Sequence, residues 1–457
     1  MSALSPLRYP AEQTYEVMTK RAWWLVILNV LLPGSAQVLA GSRRLGRTGI
    51  ISTIALWLVA AVGGVLFFST RETVYQIASN STVLFLVQWV LVFYCALWIV
   101  LTLDTLRLVR LVRVPPNVRL FVAGSAIACL AIAAGTAGYA ASVAASARGV
   151  VVSVFSDGDI EPPIDGRYNV LLLGGDAGPD RDGLRPDSIS VVSVDATTGE
   201  AVIVGIPRNL ESFPFVAGSP MADLYPDGYG EQGCAVDVCF LNSIYTEVEQ
   251  EHDDLYPDAR EHGSTPGVEG MRDAVEAITG LTIQYYVLVD MQAFSDLIDA
   301  VGGITIESEG RYPVGGGEDA NGNPTGVALW IEPGVQHMDG FTALWYARAR
   351  HGTDDFDRMA RQRQVQTAII QQIEPANVLS NFQAIASASS QVVSTDIPEG
   401  MLGRFATLAQ LTQALTPVDV ELVPDNGVHP GKPDFALIHS MVAAAIAPST
   451  SSPIPTP

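Results

Sequence analysis

Positive charge is scarce in this sequence. The 457 residues include 26 Lys and Arg against 48 Asp and Glu, a formal net charge of −22, and only 16% of the residues are charged. Residues 1–148 hold 12 Lys and Arg against 4 Asp and Glu, whereas residues 149–457 hold 14 against 44. The excess of carboxylates in the second part repels a phosphate backbone and argues against a nucleic-acid partner. Disorder is excluded too, because 48% of the residues are hydrophobic.

Several catalytic motifs are also missing. The sequence has no G-x-S-x-G, no P-loop, no H-E-x-x-H and no internal repeats. Of its four cysteines, Cys95 and Cys129 fall in apolar stretches, where a small buried hydrophobe is expected. Cys234 and Cys239 are five residues apart, which favours a local disulfide in an oxidising compartment. The alternative is half of a metal site, although no second Cys or His pair lies nearby.

Four apolar stretches precede residue 150. Residues 49–68, 82–103 and 120–147 each supply the roughly 20 uncharged residues that a helix needs to cross a bilayer. Residues 22–40 have basic flanks and polar interruptions, which favour a re-entrant or interfacial hairpin over a span; the interruptions are Asn29, Pro33, Gly34 and Gln37.

The distribution of arginine predicts the orientation. Arginines concentrate in residues 41–48 and 104–119, and residues 69–81 hold one Arg beside one Glu. Basic loops stay in the cytoplasm, so everything after residue 148 is expected outside it. We therefore predict a multi-pass plasma-membrane protein with a cytoplasmic segment at 1–21 and a membrane domain at 22–148. No cleaved signal peptide is expected, because the first apolar run begins late.

The remainder of the chain predicts an α/β domain. Residues 149–167 suit a linker, 168–446 a folded domain and 447–457 a disordered Ser/Thr/Pro-rich tail. Strands are expected at 168–174, 188–195, 201–206, 283–289, 303–307 and 418–423, with the second and third forming a hairpin. Helices are expected at 267–279, 291–301, 339–349, 358–373, 377–390, 399–415 and 434–446. This order predicts a mixed central sheet flanked by helices. Residues 208–266 are expected to form an irregular surface excursion that the two cysteines cross-link.

Arginines cluster once in the acidic part. Five of its 13 arginines lie within residues 348–363, namely Arg348, Arg350, Arg358, Arg361 and Arg363. Arg358 and Gln362 have the spacing of one helical face. Cations in a first helical turn oppose the macrodipole, so a bound anion would stabilise both. The alternative is that nearby Asp residues, among them Asp355, cap the helix and pair with the arginines; position alone leaves both open.

A second group of charged residues flanks the predicted strand ends. Asp176 ends the first strand, Arg185 and Asp187 precede the second, and Arg208 follows the third. Strand ends in α/β sheets open into ligand crevices. Two carboxylates there suit Mg²⁺, and together with the arginines they match the needs of phosphoryl transfer. Ordinary turn chemistry is the alternative.

These blocks, taken together, resemble the LytR-CpsA-Psr family of bacterial cell-envelope proteins. The resemblance runs from about Tyr168 to Ile373. It is carried by NVLLLGGD, RPDSISVVSV, GIPRN, LNSIY, GLTIQYYVLVDMQAFSDLIDAVGGITI, PGVQHMDGFTALWYARAR and DFDRMARQRQ. The Ala-rich, Lys-poor composition is consistent with an actinobacterial source. The resemblance implies transfer of a glycopolymer from a polyprenyl-pyrophosphate carrier to a peptidoglycan hydroxyl, which forms a phosphodiester bond.

The resemblance also implies roles for individual residues. Asp176 and Asp187 would bind Mg²⁺, with Mn²⁺ as the alternative metal. Pyrophosphate and catalysis are assigned to Arg185, Arg208, Arg348, Arg350, Arg358 and Asp355, the last as a supporting residue or base. Further substrate contacts are expected from Arg181, Asn242, Arg361 and Gln362, and the lipid tail would enter an apolar groove between sheet and helices.

The sequence departs from the family pattern at three positions. Gly178 stands where Arg is frequent, so either Arg181 compensates or that contact is absent. Asn209 stands where Asp is usual, and Asp357 stands where Gly is common. Two other functions therefore remain open: a polyprenyl-pyrophosphate hydrolase with water as acceptor, and a non-enzymatic receptor for lipid or polymer. The resemblance does not explain the extra membrane helices.

Overall fold

The computed structural model describes residues 14–156, 158–176, 184–319, 323–372 and 393–447, with the backbone alone at 71, 72, 176, 318 and 393. The chain divides into two compact units between Arg148 and Gly149. The helix predicted at 377–390, and the predicted tail apart from Ala447, lie outside the described residues.

The first unit is helical. Its helices are α1 (Tyr15–Leu31), α2 (Ser35–Ala40), α3 (Arg43–Ser69), α4 (Arg71–Ser79), α5 (Ser81–Val109) and α6 (Pro116–Val154), with a 3₁₀ turn at Leu111–Arg113. Three helical stretches are long and apolar enough to cross a membrane: Arg43–Ser69, Ser81–Arg113 and Pro116–Val154. Helix α6 continues to Val154, so the first residues of the predicted linker are helical.

The predicted interruption of residues 22–40 is present as a break between α1 and α2. Gly34 there has φ +101°, a conformation that other residues rarely adopt. Polar side chains hold both helices against α5: Asn29 donates to Thr102 Oγ1 at 3.2 Å, and Gln37 donates to the Leu101 carbonyl at 2.8 Å. Such hydrogen bonds satisfy polar groups that would find no partner among lipid tails.

The second unit is built on a six-stranded mixed sheet. Its strands are β1 (Arg167–Asp176), β2 (Arg185–Asp195), β3 (Ala201–Ile206), β4 (Tyr285–Asp290), β11 (Val393–Thr395) and β12 (Val418–Glu421), in the order β11-β4-β1-β2-β3-β12. β1 runs antiparallel to β2 and parallel to β4, and β3 runs antiparallel to β2 and parallel to β12. The predicted fold class and the β2–β3 hairpin are confirmed.

Three small two-stranded sheets accompany it. They pair β5 (Ile304–Ser308) with β10 (Gly334–Met338), β6 (Tyr312–Val314) with β9 (Leu329–Ile331), and β7 (Gly317–Glu318) with β8 (Pro324–Thr325). The helices of this unit are α7 (Pro220–Leu224), α8 (Ile244–Glu251), α9 (Pro266–Thr279), α10 (Met291–Ala300), α11 (Gly340–Arg348), α12 (Asp355–Gln372), α13 (Leu402–Gln413) and α14 (Phe435–Ile446).

The prediction that residues 208–266 form a surface excursion is wrong. Leu210, Phe213, Tyr229 and Leu241 are all fully buried in the main core beside the central sheet. Their rings and side chains reach the core from irregular backbone, so their spacing has neither the helical nor the strand period. The segment is thus part of the hydrophobic core.

Candidate anion-binding site

The site is built where β1 and β3 end and β2 begins. In the β1–β2 ladder, Gly174 lies opposite Ser188 and Gly175 opposite Pro186, so Asp187 is an extra residue in β2. Such a bulge redirects a side chain out of the regular alternation, and it also accommodates Pro186, which cannot donate to a ladder. Asp176 lies opposite Arg185 at the same end of the sheet.

Arg208 connects this bulge to helix α12. It follows β3, and its Nη1 donates to Asp187 Oδ1 at 2.6 Å while its Nε lies 3.6 Å from Asp355 Oδ2. The Arg208 carbonyl accepts the Asn242 backbone N–H at 3.0 Å, which fixes the chain where it leaves the strand. The guanidinium therefore bridges two carboxylates that belong to different elements.

The start of α12 supplies the second half of the cluster. The amides of Phe356 and Asp357 donate to Asp354 Oδ1 at 2.8 and 2.9 Å, which caps the helix. Arg358 Nη2 lies 2.9 Å from Asp355 Oδ1. The sequence left open either an anion site or Asp residues that cap the helix and pair with the arginines. The structure contains the Asp354 cap and the Asp355–Arg358 pair, and it also contains the arginine cluster.

The cluster keeps an excess of positive charge. Burial lowers the pKa of Arg358 to about 10, and the nearby charges of Arg208 and Arg350 act in the same direction, while Asp355 and Asp187 oppose it. Arg358 thus remains protonated at neutral pH. Three guanidinium groups and two carboxylates within mutual electrostatic range leave net charge for a bound anion, and arginine forks suit phosphate oxygens.

Two further predicted arginines lie at the end of α11. Arg348 is the last residue of that helix, Arg350 follows two residues later, and both side chains are exposed. The charge of Arg350 acts on Arg358, which lies in the cluster. Arg350 can therefore meet a ligand from solvent while Arg358 holds the base of the site.

Gln362 lies in a narrow cleft beside the cluster. The cleft is lined by residues of β2, β3 and α12, among them Asp187, Arg208, Gln362 and Gln366. Gln362 is one helical turn after Arg358, as expected from the spacing. Gln366, which the sequence analysis missed, donates to Ser190 Oγ at 2.9 Å and ties the cleft walls together. Its position one turn after Gln362 was the available signal.

The structure does not support the predicted substrate contact of Arg361. Its side chain is 3% exposed, and its Nε donates to the Tyr346 carbonyl at 3.2 Å. Its Nη2 donates to the Ala349 carbonyl and to Thr353 Oγ1, and the group lies 4.5 Å from the centre of the Tyr312 ring. Arg361 instead fixes the turn between α11 and α12, and so it positions Arg348 and Arg350.

Arg185 has a partner that the sequence did not indicate. Its Nη2 lies 2.5 Å from Asp237 Oδ1, on the loop that the Cys234–Cys239 disulfide closes. The paired cysteines around Asp237 were the only sequence signal.

Asn242 is buried and supports Arg208 through its backbone, so its predicted substrate contact gains no support. Arg181 lies outside the described residues.

A magnesium ion was predicted between Asp176 and Asp187. No three His, Cys, Asp or Glu side chains gather into a metal site among the described residues. Asp187 Oδ1 accepts a hydrogen bond from Arg208, and the backbone of Asp176 ends the neighbouring strand. Mg²⁺ commonly takes one or two carboxylates together with substrate phosphates and water, and Asp187 is the described carboxylate that could supply one of them.

A larger cavity of this unit lies away from the cluster. It has a volume of about 920 Å³ and lies near the start of β4, at the opposite end of that strand from Asp290. Its lining includes Glu161, Arg272 and Asp396 but none of the predicted site residues. We place the functional site at the cluster because cations and carboxylates from separate elements converge there.

The fold and cluster define a class: an α/β domain that presents an arginine-rich anion site, attached to an apolar helical unit. The LytR_cpsA_psr family model matches residues 142–426. That match covers more than half of the chain, and the protein belongs to this family. Family and apolar helices together indicate a membrane-anchored protein with an extracellular domain.

Curated relatives match part of the chain. Polyisoprenyl-teichoic acid–peptidoglycan teichoic acid transferase TagU of Bacillus mycoides is 25% identical over 236 residues, which are 51% of this chain and 62% of the relative. Cell wall biosynthesis protein LcpA of Corynebacterium glutamicum is 26% identical over 324 residues, 63% of this chain and 57% of the relative. The chain thus spans less than two thirds of the length of either relative.

Solved structures are more distant. The crystal structure of B. subtilis TagV has 21% identity and a TM-score of 0.43, and the match covers 62% of this chain and 96% of that one. TagT bound to LIIa-WTA has 18% identity and a TM-score of 0.40, with 63% and 93% coverage.

Proposed function

We propose that this protein is a phosphotransferase that moves a glycopolymer from a polyprenyl-pyrophosphate carrier to a peptidoglycan hydroxyl. The supporting observation is the cluster of Arg208, Arg358 and Arg350 around Asp187 and Asp355 at one end of the sheet. Family membership agrees, because the relative TagU is named as a teichoic acid transferase acting between a polyisoprenyl carrier and peptidoglycan.

The proposed reaction is a phosphoryl transfer. The acceptor hydroxyl oxygen forms a bond to the phosphorus that carries the sugar, the bond from that phosphorus to the bridging oxygen breaks, and polyprenyl phosphate leaves. Arg208 and Arg350 would hold the pyrophosphate oxygens and stabilise the charge that develops on them. Asp355, which already contacts two guanidinium groups, is our candidate to accept the hydroxyl proton.

A divalent cation completes the proposal. Asp187 and Asp176 would hold Mg²⁺, or Mn²⁺ in its place, at the end of the sheet. When bound, the cation would neutralise pyrophosphate charge and orient the leaving oxygen. Arg185, at the start of β2 and paired with Asp237, would remain beside it.

We also propose that the chain crosses the plasma membrane several times. The three apolar helices provide the length, and the basic segments 41–48 and 104–119 are placed in the cytoplasm by the positive-inside rule. The α/β unit then faces the carrier lipid and the wall.

The test uses the purified full chain in detergent. It is incubated with a polyprenyl-pyrophosphate glycolipid and peptidoglycan, with Mg²⁺ or with excess EDTA, and polymer attached to peptidoglycan is measured. We expect attachment that depends on Mg²⁺ and falls by about 100-fold in Arg350→Ala, an exposed residue whose loss should leave the fold intact. The matched control is Arg311→Ala, an exposed arginine paired with Glu332 at 2.9 Å.

Three outcomes would contradict the proposal. Attachment that is equal in Arg350→Ala and Arg311→Ala would remove the cluster from the reaction. Release of lipid phosphate at a rate that peptidoglycan does not change would make the protein a hydrolase, while tight glycolipid binding without either product would make it a receptor.

A further inference from the structure

The membrane unit contains a polar cavity that the proposed reaction does not use. It has a volume of about 320 Å³ and lies where α1, the start of α3 and the end of α5 meet. Its lining includes Arg21, Ser42, Asp104, Arg107 and Arg110. A polar cavity among otherwise apolar helices is costly to maintain, so its chemistry indicates a ligand.

Three cations converge on this cavity. Arg21 is 4% exposed, and its Nη1 donates to the Leu108 carbonyl at 2.7 Å, so the guanidinium is held in place. Arg110 is close enough for its charge to repel that of Arg21, and Arg107 lies one turn before it. Among the described residues that line the cavity, Asp104 is the one carboxylate. The balance in the cavity is positive, and it favours an anionic group.

The start of α3 adds to this field. Ser42 is the N-cap of that 27-residue helix and lines the cavity. The positive end of the helix dipole and the unpaired amides of a first turn both favour an anion. Backbone dipole and side chains therefore select the same sign of charge.

Asp104 specifies a second feature of the ligand. Its Oδ2 is buried and has no hydrogen-bond partner among the described residues. A buried acceptor without a donor costs about 1–3 kcal/mol. A ligand that carries an N–H or O–H group beside its anionic group would satisfy this oxygen.

The cavity lies at the end of the long apolar helices that carries the basic segments 41–48 and 104–119. Lipid headgroups occupy this depth, and basic pockets between membrane helices bind them. We propose that this cavity binds the phosphodiester headgroup of a membrane phospholipid, with the phosphate on Arg21, Arg107 and Arg110 and a headgroup N–H or O–H donating to Asp104. The extra helices thereby gain a role as a lipid-binding module.

Native mass spectrometry of the full chain in detergent tests this proposal. The probes are phosphatidylglycerol, phosphatidylethanolamine, phosphatidylcholine with the same acyl chains, and inorganic phosphate. We expect the first two lipids to bind about tenfold more tightly than phosphatidylcholine, whose headgroup has no donor. Arg107→Gln and Arg110→Gln, both at exposed side chains, should each reduce binding of all three lipids several-fold.

The matched control is Arg44→Gln, which removes the same charge from an exposed residue outside the cavity. It should bind lipid as the parent does. Asp104→Leu should lose the preference for phosphatidylethanolamine over phosphatidylcholine, because the variant has no oxygen to accept the headgroup N–H.

Three results would overturn the proposal. Equal binding of phosphatidylcholine and the two donor lipids would remove the role of Asp104. If Arg44→Gln weakens lipid binding as much as Arg110→Gln does, the binding depends on the general charge of the surface and not on the cavity. Displacement of the lipids by inorganic phosphate at millimolar concentration would make the site one for a free anion.

Discussion

The carboxylate of Asp355 compensates the charge of two arginines of the site. Asp355 lies between Arg208, at 3.6 Å, and the buried Arg358, at 2.9 Å. Removal of one partner from a buried pair leaves the other charge uncompensated, and the loss is larger than the net worth of the pair. Asp355 is therefore a positioning group as well as the candidate base.

We expect Asp355→Asn to destabilise the protein by about 1–3 kcal/mol and to reduce polymer transfer by about 100-fold or more. Thermal unfolding of the purified chain and the attachment assay measure the two effects. Glu332→Gln breaks an exposed pair with Arg311 and is the control, since such pairs contribute about 0–1 kcal/mol. If Asp355→Asn unfolds at the same temperature as this control, the ion pair between Asp355 and Arg358 does not stabilise the fold.

A second residue makes stability depend on pH. Burial raises the pKa of Asp273 from 3.8 to about 6, and Tyr256 and Ser219 donate to its carboxyl group. The folded chain thus keeps a proton that the unfolded chain loses, so this stabilisation is complete below about pH 4 and is lost as the pH rises through 6. The shift corresponds to up to about 3 kcal/mol.

We expect Asp273→Asn to lose this dependence and to be more stable than the parent at pH 7, because the amide keeps an acceptor without a charge to bury. Unfolding midpoints measured from pH 4 to pH 7 check this. Asp254→Asn, at an exposed side chain, should follow the parent curve. A parent and an Asp273→Asn variant with parallel curves would contradict the assignment.

The sequence could not distinguish Arg358 from Arg361. The two are three residues apart on α12, which places them on nearly the same face. Arg358 joins the anion cluster, whereas Arg361 donates to the carbonyls of Tyr346 and Ala349. The difference depends on where the C-terminal end of α11 lies, which is a tertiary contact that no local pattern encodes. Asp187 and Arg208, at strand ends, were predictable because the sheet fixes their neighbourhood.

Among the elements, α11 carries the arginines that face solvent, and its packing depends on Gly340. A Cβ built at Gly340 would lie 1.9 Å from the Ser295 carbonyl oxygen of α10. The Gly340 amide also donates to Asp299 Oδ1 at 2.7 Å. The two helices therefore meet through backbone, and there is no flexible side chain that could move away.

We expect Gly340→Ala to shift α11 and to destabilise the protein by about 1–3 kcal/mol or more, with weaker transfer because Arg348 and Arg350 move with the helix. Thermal unfolding and the attachment assay report both effects. Gly431→Ala is the control, because nothing lies within 4 Å of a Cβ built there. Equal unfolding temperatures for the two variants would contradict the close approach.

The regular elements of the α/β unit were largely predictable, and the reason is periodicity. Strands β1 to β4 and helices α9 to α12 begin and end within about three residues of the expected positions, since each buries a face with a regular spacing. Residues 208–266 were not, because Phe213, Phe215 and Tyr229 pack ring against ring from loops. Apolar side chains that reach a core through irregular backbone leave no period to detect.

At the scale of the whole molecule, the net charge of −22 separates into a basic helical part and an acidic α/β part. The acidic part brings Arg208, Arg350 and Arg358 together at one site, against a background of carboxylates. The basic part places its arginines at the ends of apolar helices. We expect the same residue type to hold an anion in one unit and to orient the helices in the membrane in the other.

This division predicts which segments a membrane-impermeant thiol reagent can reach. Val112 is 84% exposed in the basic segment 104–119, and Val335 is 71% exposed in the α/β unit. In protoplasts that express the chain, we expect Val335→Cys to be labelled directly and Val112→Cys only after permeabilisation. The parent chain controls for background, because Cys234 and Cys239 form a disulfide and Cys95 and Cys129 lie in apolar helices. Labelling of Val112→Cys in intact protoplasts would place the basic segment outside and reverse the orientation. The lipid cavity would then face the outer leaflet, so the same experiment decides which leaflet can supply its headgroup.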